Sequence, residues 1–317
     1  MGFTLMNNAV RGTFDMQMLC VLWERLARIH LVWRLLVKIG MFMVTLFFVL
    51  NPHPVLFMKQ LPRYADMESL IQTDFQGLET INRDIDAMLP PGADQKQELA
   101  VVQKYVYQHI RYTYDWDNWG NIDFWPTAEQ VWERRQEDCD GQAVLAASIL
   151  RSRGFSSATL VGNIQHIWVQ LDQQDLMSPM AEQNISREKG KLVVRLPSLK
   201  VILGAMAIYI TDFPTIRNLL LFWVILLLCY HPNTTFIHFL GTMSIGLLGF
   251  ILLKDWAYDM MYNQLQGSNL SLICGGLFLG LSFVLPFFFT TNFMRRALGL
   301  SLCRAMEEQH QSAGPEK

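Results

Sequence analysis

The sequence is short of charged residues. Asp, Glu, Lys and Arg make up 17% of the 317 residues, against about 25% in a typical soluble domain, while 51% are hydrophobic. Such a composition excludes intrinsic disorder and argues against a wholly soluble protein. The 26 basic and 28 acidic residues nearly balance, so there is no basic field to hold nucleic acid, and we expect no nucleic-acid partner.

Cysteine is also scarce. Of the five cysteines, Cys139 is the one that lies between residues 59 and 199, so this segment cannot form an internal disulfide. Cys229 and Cys274 fall in apolar runs, and Cys20 and Cys303 lie near the two ends. A lone cysteine is more often a buried, inert side chain than a reactive one. The residues around Cys139, described below, favour reactivity.

Long apolar runs lie on both sides of residues 59–199, which read as ordinary soluble sequence with a net charge of −6. A span of about 20 apolar residues crosses a bilayer. We predict a cytoplasmic segment over 1–35, a transmembrane helix over 36–58, an exposed domain over 59–199, an interfacial segment plus three transmembrane helices over 200–292, and a cytoplasmic tail over 293–317. The four predicted spans are Leu36–Phe57, Ile216–Tyr230, Phe236–Leu253 and Leu270–Thr291.

Basic residues flank the first and the last run. Because short loops rich in Lys and Arg stay in the cytoplasm, both ends are expected there, which requires an even number of crossings. Four crossings place residues 59–199 on the opposite side of the membrane. The shorter run Val201–Ile210 could be an interfacial helix, part of a tilted span or part of the domain core.

The segment 59–199 changes its periodicity along its length. Apolar residues recur at helical spacing over 65–89 and 95–111, Thr127 begins a helix with a TAEQ capping box, and a further helix starts at Cys139 and stops before Gly154. Strands are predicted over 157–162, 166–171, 176–178 and 191–196. Helices followed by a small antiparallel sheet indicate an α+β domain.

A cysteine at the amino end of a helix and a histidine 27 residues later on a strand suit nucleophilic catalysis. A helix amino terminus favours thiolate over thiol because of its partial positive charge. A histidine on an adjacent strand can take the thiol proton and later protonate a leaving amine. Cys139 and His166 are therefore candidate catalytic residues; the alternatives are an inert cysteine and a core histidine.

The stretch DCDGQAVLAASILRSRGF, followed by LVGNIQHIWVQL, resembles the transglutaminase-like branch of the papain-like cysteine enzymes. The resemblance covers roughly residues 95–180 and implies that fold, with Cys139 as nucleophile and His166 as general base. In this family an Asp before Pro usually orients the imidazole. Here the matching residue is Ser178, which can hydrogen-bond the ring but cannot supply a charge. Asp172 or Asp175 could take the role instead.

No cofactor and no metal are expected. Asp115, Asp117 and Asp123 lie close in sequence, but they lack the Asp-x-Asp-x-Asp-Gly spacing and the late Glu of a calcium loop. The aromatic residues of the same stretch wall a substrate groove or simply pack; they are Trp116, Trp119, Phe124 and Trp125. Trp125 and Trp132 correspond to the family's upstream aromatic only by analogy.

Two functions from different classes stay open at this point. The first is a membrane-anchored cysteine hydrolase or acyltransferase that attacks amide bonds of a protein or peptide substrate through a thioester. The second is a non-catalytic binding or assembly module of the same fold on a membrane anchor. With either function, the lipid bilayer is a further partner of the protein. The resemblance and the charge distribution together favour a bacterial inner membrane, with residues 59–199 on the periplasmic side.

Overall fold

The structure is a computed structural model that describes residues 25, 29–172, 174–188, 191–229, 236–262 and 269–288. The predicted tail 293–317, most of the segment 1–35, the end of the last predicted span, and both Cys20 and Cys303 lie outside these residues. The chain divides into two compact units. One comprises Phe47–Tyr209, which is wider than the predicted domain 59–199, and the other combines Met1–Leu46 with Ile210–Lys317.

Helices occupy the amino-terminal part of the unit Phe47–Tyr209. Helix α1 (Leu31–Leu50) leads into it. The helices that follow in this part are α2 (Pro54–Ala65), a short 3-10 helix (Met67–Leu70), α3 (Leu78–Met88), α4 (Gln95–His109), α5 (Asp115–Asn118), α6 (Ala128–Arg134) and α7 (Cys139–Ser152).

The helix ends follow local capping chemistry. The predicted capping box at Thr127 is confirmed: its hydroxyl accepts from the Gln130 amide at 3.4 Å and its own amide donates to the Gln130 side chain at 3.0 Å. The predicted start of α7 at Cys139 is confirmed too. The prediction of a single helix over 65–89 is wrong. Gly77 adopts a left-handed conformation (φ 103°) and is the N-cap of α3, which therefore starts only at Leu78.

Five strands form an antiparallel sheet in the order β5-β4-β3-β6-β7. They are β3 (Thr159–Gly162), β4 (Ile167–Leu171), β5 (Gln174–Leu176), β6 (Ile185–Glu188) and β7 (Lys191–Val194). A separate two-stranded parallel pair joins β1 (Arg111–Tyr112) to β2 (Gln136–Glu137). The predicted order of helices and then a small antiparallel sheet is therefore confirmed, and β6 is an addition to it.

Helix α7 is the centre of the domain core. Every residue from Gly141 to Leu150 is buried, and the helix packs against α4, α6 and strand β4. Among the largest fully buried side chains are Leu145 and Ile149 of α7 and Trp168 of β4. The amino end of α7 and the start of β4 are thus held together by fully buried side chains of the domain core.

Within the described residues, two helices are long and apolar enough to cross a membrane: α1, over Val32–Leu50, and α10 (Phe236–Tyr262), over Ile237–Tyr262. The first predicted span is corrected, since its helix ends at Leu50 rather than Phe57. Helices α8 (Leu199–Asp212) and α9 (Thr215–Cys229) meet at a 103° bend, where Pro214 interrupts the helical bonding. Together they could form one broken span.

Helix α11 (Asn269–Phe288) packs closely against α10. Its apolar part, Leu270–Leu285, is shorter than a full span. Glycines allow the two backbones to approach: a Cβ added at Gly249 would lie 2.6 Å from the Leu279 amide nitrogen and 2.8 Å from the Gly275 carbonyl oxygen. Small residues at such a crossing are typical of apolar helix pairs.

Candidate functional site

Cys139 lies where the sequence analysis placed it, at the first position of α7. Its side chain is partly exposed, and its sulfur accepts a hydrogen bond from the backbone amide of Ile167. Ile167 is the first residue of β4 and directly follows His166. Packing between α7 and β4 therefore brings the predicted nucleophile against the residue next to the predicted base.

The ring of His166 is oriented by a main-chain group. Its Nε2 atom lies 2.8 Å from the carbonyl oxygen of Met177. A carbonyl only accepts, so Nε2 donates the proton of this bond and a neutral ring keeps the lone pair on Nδ1. The imidazole also stacks near Trp168, with ring centroids 6.0 Å apart and planes 21° from parallel. The His-x-Trp pattern of the sequence thus forms one stacked pair.

Ser178, the residue predicted to orient His166, contacts a different partner. Its hydroxyl lies 3.0 Å from the hydroxyl of Tyr107 on α4. The residue before it supplies the acceptor instead, because Met177 and Ser178 both have left-handed backbones (φ 65° and 56°) that form a tight turn after β5. The Met177 amide donates to the Gln103 side chain at 3.2 Å, so two residues of α4 hold this turn.

The alternative orienting residues lie on the exposed edge of the sheet. Asp172 is a turn residue with φ 51°. Asp175 pairs with Gln170 across the β4–β5 ladder and accepts a weak bond from its side chain at 3.5 Å. Both are therefore turn or edge residues, as their sequence context indicated.

Four carboxylates surround the amino end of α7. Asp115, Glu137, Asp138 and Asp140 each offer an oxygen atom within 4.8 Å of the others; we call this group the acidic cluster. The parallel pairing of β1 with β2 and the short helix α5 bring Asp115 next to residues that follow it by more than twenty positions. Asp115, Glu137 and Asp140 are buried, and Asp138 is partly exposed.

Hydrogen bonds satisfy only part of the acidic cluster. Glu137 accepts from the Asn118 side chain at 2.7 Å and from the Trp119 indole, and Asp115 accepts from the Phe124 amide at 2.6 Å. One further oxygen of Asp115, Oδ1, and one of Asp140, Oδ2, are buried without a hydrogen-bond partner. Buried ionised oxygens without partners are costly, so the cluster favours its protonated forms or a cation.

The electrostatics of the site follow from this cluster. Burial, together with neighbouring negative charges, raises the pKa of Glu137 to about 8 and raises the pKa values of Asp115 and Asp140. Burial also raises the pKa of Asp138, against the opposing effects of hydrogen bonds with Asp140 and of His166. The pKa of the Cys139 thiol is also raised, first by burial and then by Asp138, although the Ile167 amide opposes this. The thiolate expected from the helix terminus is therefore not the resting form.

The first amides of α7 explain why the helix terminus does not favour thiolate. The amide of Asp140 donates to the Asp138 carboxylate at 3.2 Å, and that of Gly141 donates to the Asp140 carboxylate at 3.0 Å. The partial positive charge of the terminus is thus directed at carboxylates. Gly141 also makes room for the cluster, since a Cβ there would lie 2.6 Å from the Cγ atom of Glu137.

The acidic cluster is a part of the described chain that could hold a divalent cation, since hard cations bind carboxylate oxygens. In the sequence, Asp115 belongs to the stretch that was compared with a calcium loop, whereas Glu137 and Asp140 lie outside it. The available signal was the run Glu137-Asp138-Cys139-Asp140, in which acids flank the candidate nucleophile. Asp117 is exposed, and Asp123 instead accepts a hydrogen bond from Tyr64 at 2.6 Å.

The aromatic residues of the preceding loop pack. Trp116, Trp119, Phe124 and Trp125 are all at most 9% exposed. Trp119 supports the cluster directly through its indole bond to Glu137. The four aromatic side chains are thus buried inside the domain, and Trp132 packs over Gly77 at the start of α3.

No protein-family model, curated protein or solved structure matches the chain.

Proposed function

We propose that the domain is a transglutaminase-like cysteine hydrolase or acyltransferase that acts on amide bonds of proteins or peptides through a thioester on Cys139. The observation that supports this best is the bond between His166 Nε2 and the Met177 carbonyl. It leaves Nδ1 as the basic atom of a histidine whose neighbour, Ile167, contacts the Cys139 sulfur. A nucleophile, a base and a group that orients the base are the parts such catalysis needs.

The chemistry proceeds in two halves. The Cys139 sulfur attacks the substrate carbonyl carbon while its proton passes to His166 Nδ1, and the resulting tetrahedral species collapses as this proton moves to the leaving amine nitrogen. The product is a thioester on Cys139. Water or a second amine then attacks the thioester carbonyl carbon and gives its proton to His166. The tetrahedral species collapses to a carboxylic acid or a new amide as the C–S bond breaks, and His166 returns the proton to the departing Cys139 sulfur.

The acidic surroundings decide how the thiol is activated. Because burial and Asp138 raise the pKa of Cys139, the resting site holds a neutral thiol. Proton transfer to His166 accompanies the attack, as in general-base catalysis, instead of preceding it in a thiolate–imidazolium pair. The Met177 carbonyl then contributes by accepting a stronger hydrogen bond once the ring becomes charged.

The same acidity supports a second candidate function, a non-catalytic binding or assembly module. A thiol kept protonated by neighbouring carboxylates is a poor nucleophile. In that case the domain would use its fold to position partner proteins at the membrane. The two functions differ in what His166 does for the reactivity of Cys139.

The decisive experiment measures acyl transfer to Cys139 in the purified full chain. The chain is incubated with p-nitrophenyl acetate, and p-nitrophenolate release and acetylation of Cys139 are followed by absorbance and peptide mass spectrometry. We expect His166→Ala to slow strongly both the release of p-nitrophenolate and the acetylation of Cys139. The matched control is His109→Ala, which removes another histidine of the domain, from α4, and should leave the rate unchanged.

Two outcomes would reject the catalytic proposal. One is acetylation of Cys139 at the same rate in wild type and His166→Ala, with folding checked by circular dichroism. The other is p-nitrophenolate release that persists in Cys139→Ala. Either outcome favours the binding module. Incorporation of a fluorescent amine into casein, compared with peptide hydrolysis, then separates acyltransferase from hydrolase.

We also propose the membrane placement that the basic flanks indicate: both ends in the cytoplasm of a bacterial cell and residues 59–199 in the periplasm. The two helices of sufficient length and the bent pair α8–α9 support a membrane protein. Reporter fusions after residue 120 and at the carboxyl end test the topology. Reporters on the same side of the membrane would contradict it.

A further inference from the structure

Helix α2 is oriented with its polar side towards the domain. Gln60 is fully buried and accepts a hydrogen bond from the Trp125 amide at 2.9 Å. Arg63 donates to the Trp125 carbonyl, and the Tyr64 hydroxyl donates to Asp123 at 2.6 Å. These bonds fix the rotation of the helix about its axis.

The opposite face of α2 is entirely apolar and exposed. At 100° per residue, six side chains fall within an arc of roughly 120° centred on Met58 and opposite Gln60. Val55 is 67% exposed, Met58 63% and Leu61 45%. The other members of this face are Pro54, Pro62 and Ala65, of which all are exposed.

This arrangement is the reverse of a helix on a water-exposed surface. There, apolar side chains pack inwards and polar ones face the solvent. A buried glutamine opposite an exposed apolar stripe is the pattern of a helix whose outer side contacts something other than water.

The position of α2 in the chain indicates what that contact is. Helix α1 has 20 residues, about 30 Å, which matches the hydrocarbon thickness of a bilayer, and α2 begins three residues after it. Three residues span at most about 10 Å, so α2 starts within or beside the headgroup layer if α1 crosses the membrane.

The linker that precedes α2 is hydrogen-bonded to the domain. The Ile122 amide donates to the Leu50 carbonyl at 2.7 Å. Asn121 bonds both backbone groups of His53, accepting from its amide at 2.9 Å and donating to its carbonyl at 3.0 Å. The start of α2 is therefore fixed to the domain by main-chain bonds as well as by the side chains of α2.

We propose that the outer face of α2 lies in the lipid interface, with Val55, Met58 and Leu61 inserted at the boundary between headgroups and acyl chains. Lys59, exposed on the flank of this face, is placed to meet anionic lipid headgroups. The helix would then hold the domain against the bilayer at a fixed orientation. This proposal is independent of the catalytic one.

The test places a fluorophore on the face and asks whether it touches lipid. The full chain, with its native cysteines changed to serine, receives a single Met58→Cys or Val55→Cys substitution and an environment-sensitive dye. It is reconstituted in vesicles of phosphatidylcholine and phosphatidylglycerol with or without a lipid that bears a nitroxide near its headgroup. We expect a blue-shifted emission and loss of intensity in the nitroxide vesicles.

The matched control is Met88→Cys, an exposed methionine at the end of α3 in the same domain. Its label should keep the emission of a water-exposed dye and escape quenching. Labels at 55 and 58 that behave like the label at 88 would overturn the proposal. So would a blue-shifted label at 58 that the nitroxide lipid does not quench, since that result identifies a protein, such as a second copy of this chain, as the occupant.

Discussion

Protonation of the acidic cluster should make the domain more stable in mild acid than at neutral pH. In the folded chain the pKa of Glu137 is raised to about 8 by burial and by Asp138, whereas an exposed glutamate has its pKa near 4.5. Between these two values the folded state binds a proton that the unfolded state has released. The stability contributed by this proton is complete below pH 4.5 and is lost as the pH rises through 8.

The magnitude follows from the linkage between protons and folding. One retained proton changes the free energy of unfolding by about 1.4 kcal/mol per pH unit, so Glu137 alone accounts for roughly 5 kcal/mol between pH 4.5 and 8. The pKa values of Asp115, Asp138 and Asp140 shift in the same direction, and Arg134 only weakly opposes the shift of Glu137. For a domain of this size the melting temperature should fall by about 3 °C per pH unit.

Glu137→Gln tests the origin of this slope. The glutamine carbonyl can accept the same bonds from Asn118 and Trp119, while the charge is removed. We expect a variant whose melting temperature, followed by tryptophan fluorescence in detergent, exceeds that of wild type at pH 8 and equals it near pH 5. The control is Glu133→Gln, which changes an exposed glutamate on α6 and should keep the wild-type slope.

A wild-type melting temperature that stays constant from pH 5 to pH 8 would refute the reasoning. A slope that Glu137→Gln leaves unchanged would assign the titration to another group. The same scan with added calcium is informative: a slope that calcium abolishes would mean that a cation occupies the acidic cluster in place of protons.

Glycine substitutions test the packing elsewhere. Gly77→Ala should be destabilised by about 3 kcal/mol, because it combines left-handed strain with a Cβ 2.2 Å from the Trp132 indole nitrogen. In the control, Gly92→Ala, the new Cβ meets no atom within 4 Å, so only the strain of about 1 kcal/mol should appear. Equal losses of unfolding free energy in denaturant titrations of the two variants would contradict this. In the apolar helices, Gly249→Ala should separate α10 from α11 and increase proteolysis in detergent. Gly241→Ala, which has open space, should resist proteolysis like wild type.

Local signals predicted the elements that local chemistry determines. The capping box at Thr127, the helix from Cys139 and the stop at Gly154 depend on residues within one turn of each boundary. The prediction of one helix over 65–89 failed because its apolar spacing continues through Gly77, where the backbone is left-handed and the Trp132 ring leaves no room for a Cβ. Strand β6 was missed because its pattern, Ile185–Glu188, has no apolar alternation.

The candidate site was predictable in part for the same reason. Cys139 and His166 stand in recognisable local sequence. The acidic cluster depends on the β1–β2 pairing, which brings Asp115 to Glu137 across more than twenty residues. No local sequence pattern predicts this pairing. The acceptor on His166 was missed because a backbone carbonyl leaves no trace in the side-chain sequence.

Because the group that orients His166 is the main-chain carbonyl of Met177, no side-chain substitution at that position removes it. An orienting aspartate can be lost through a single codon change, but every residue type at position 177 retains a carbonyl oxygen. What selection can alter is the shape of the two-residue turn and its attachment to α4 through Gln103 and Tyr107. Inheritance of the orienting group therefore depends on the geometry of the main chain, and the buried Met177 side chain enters only through its packing in the core.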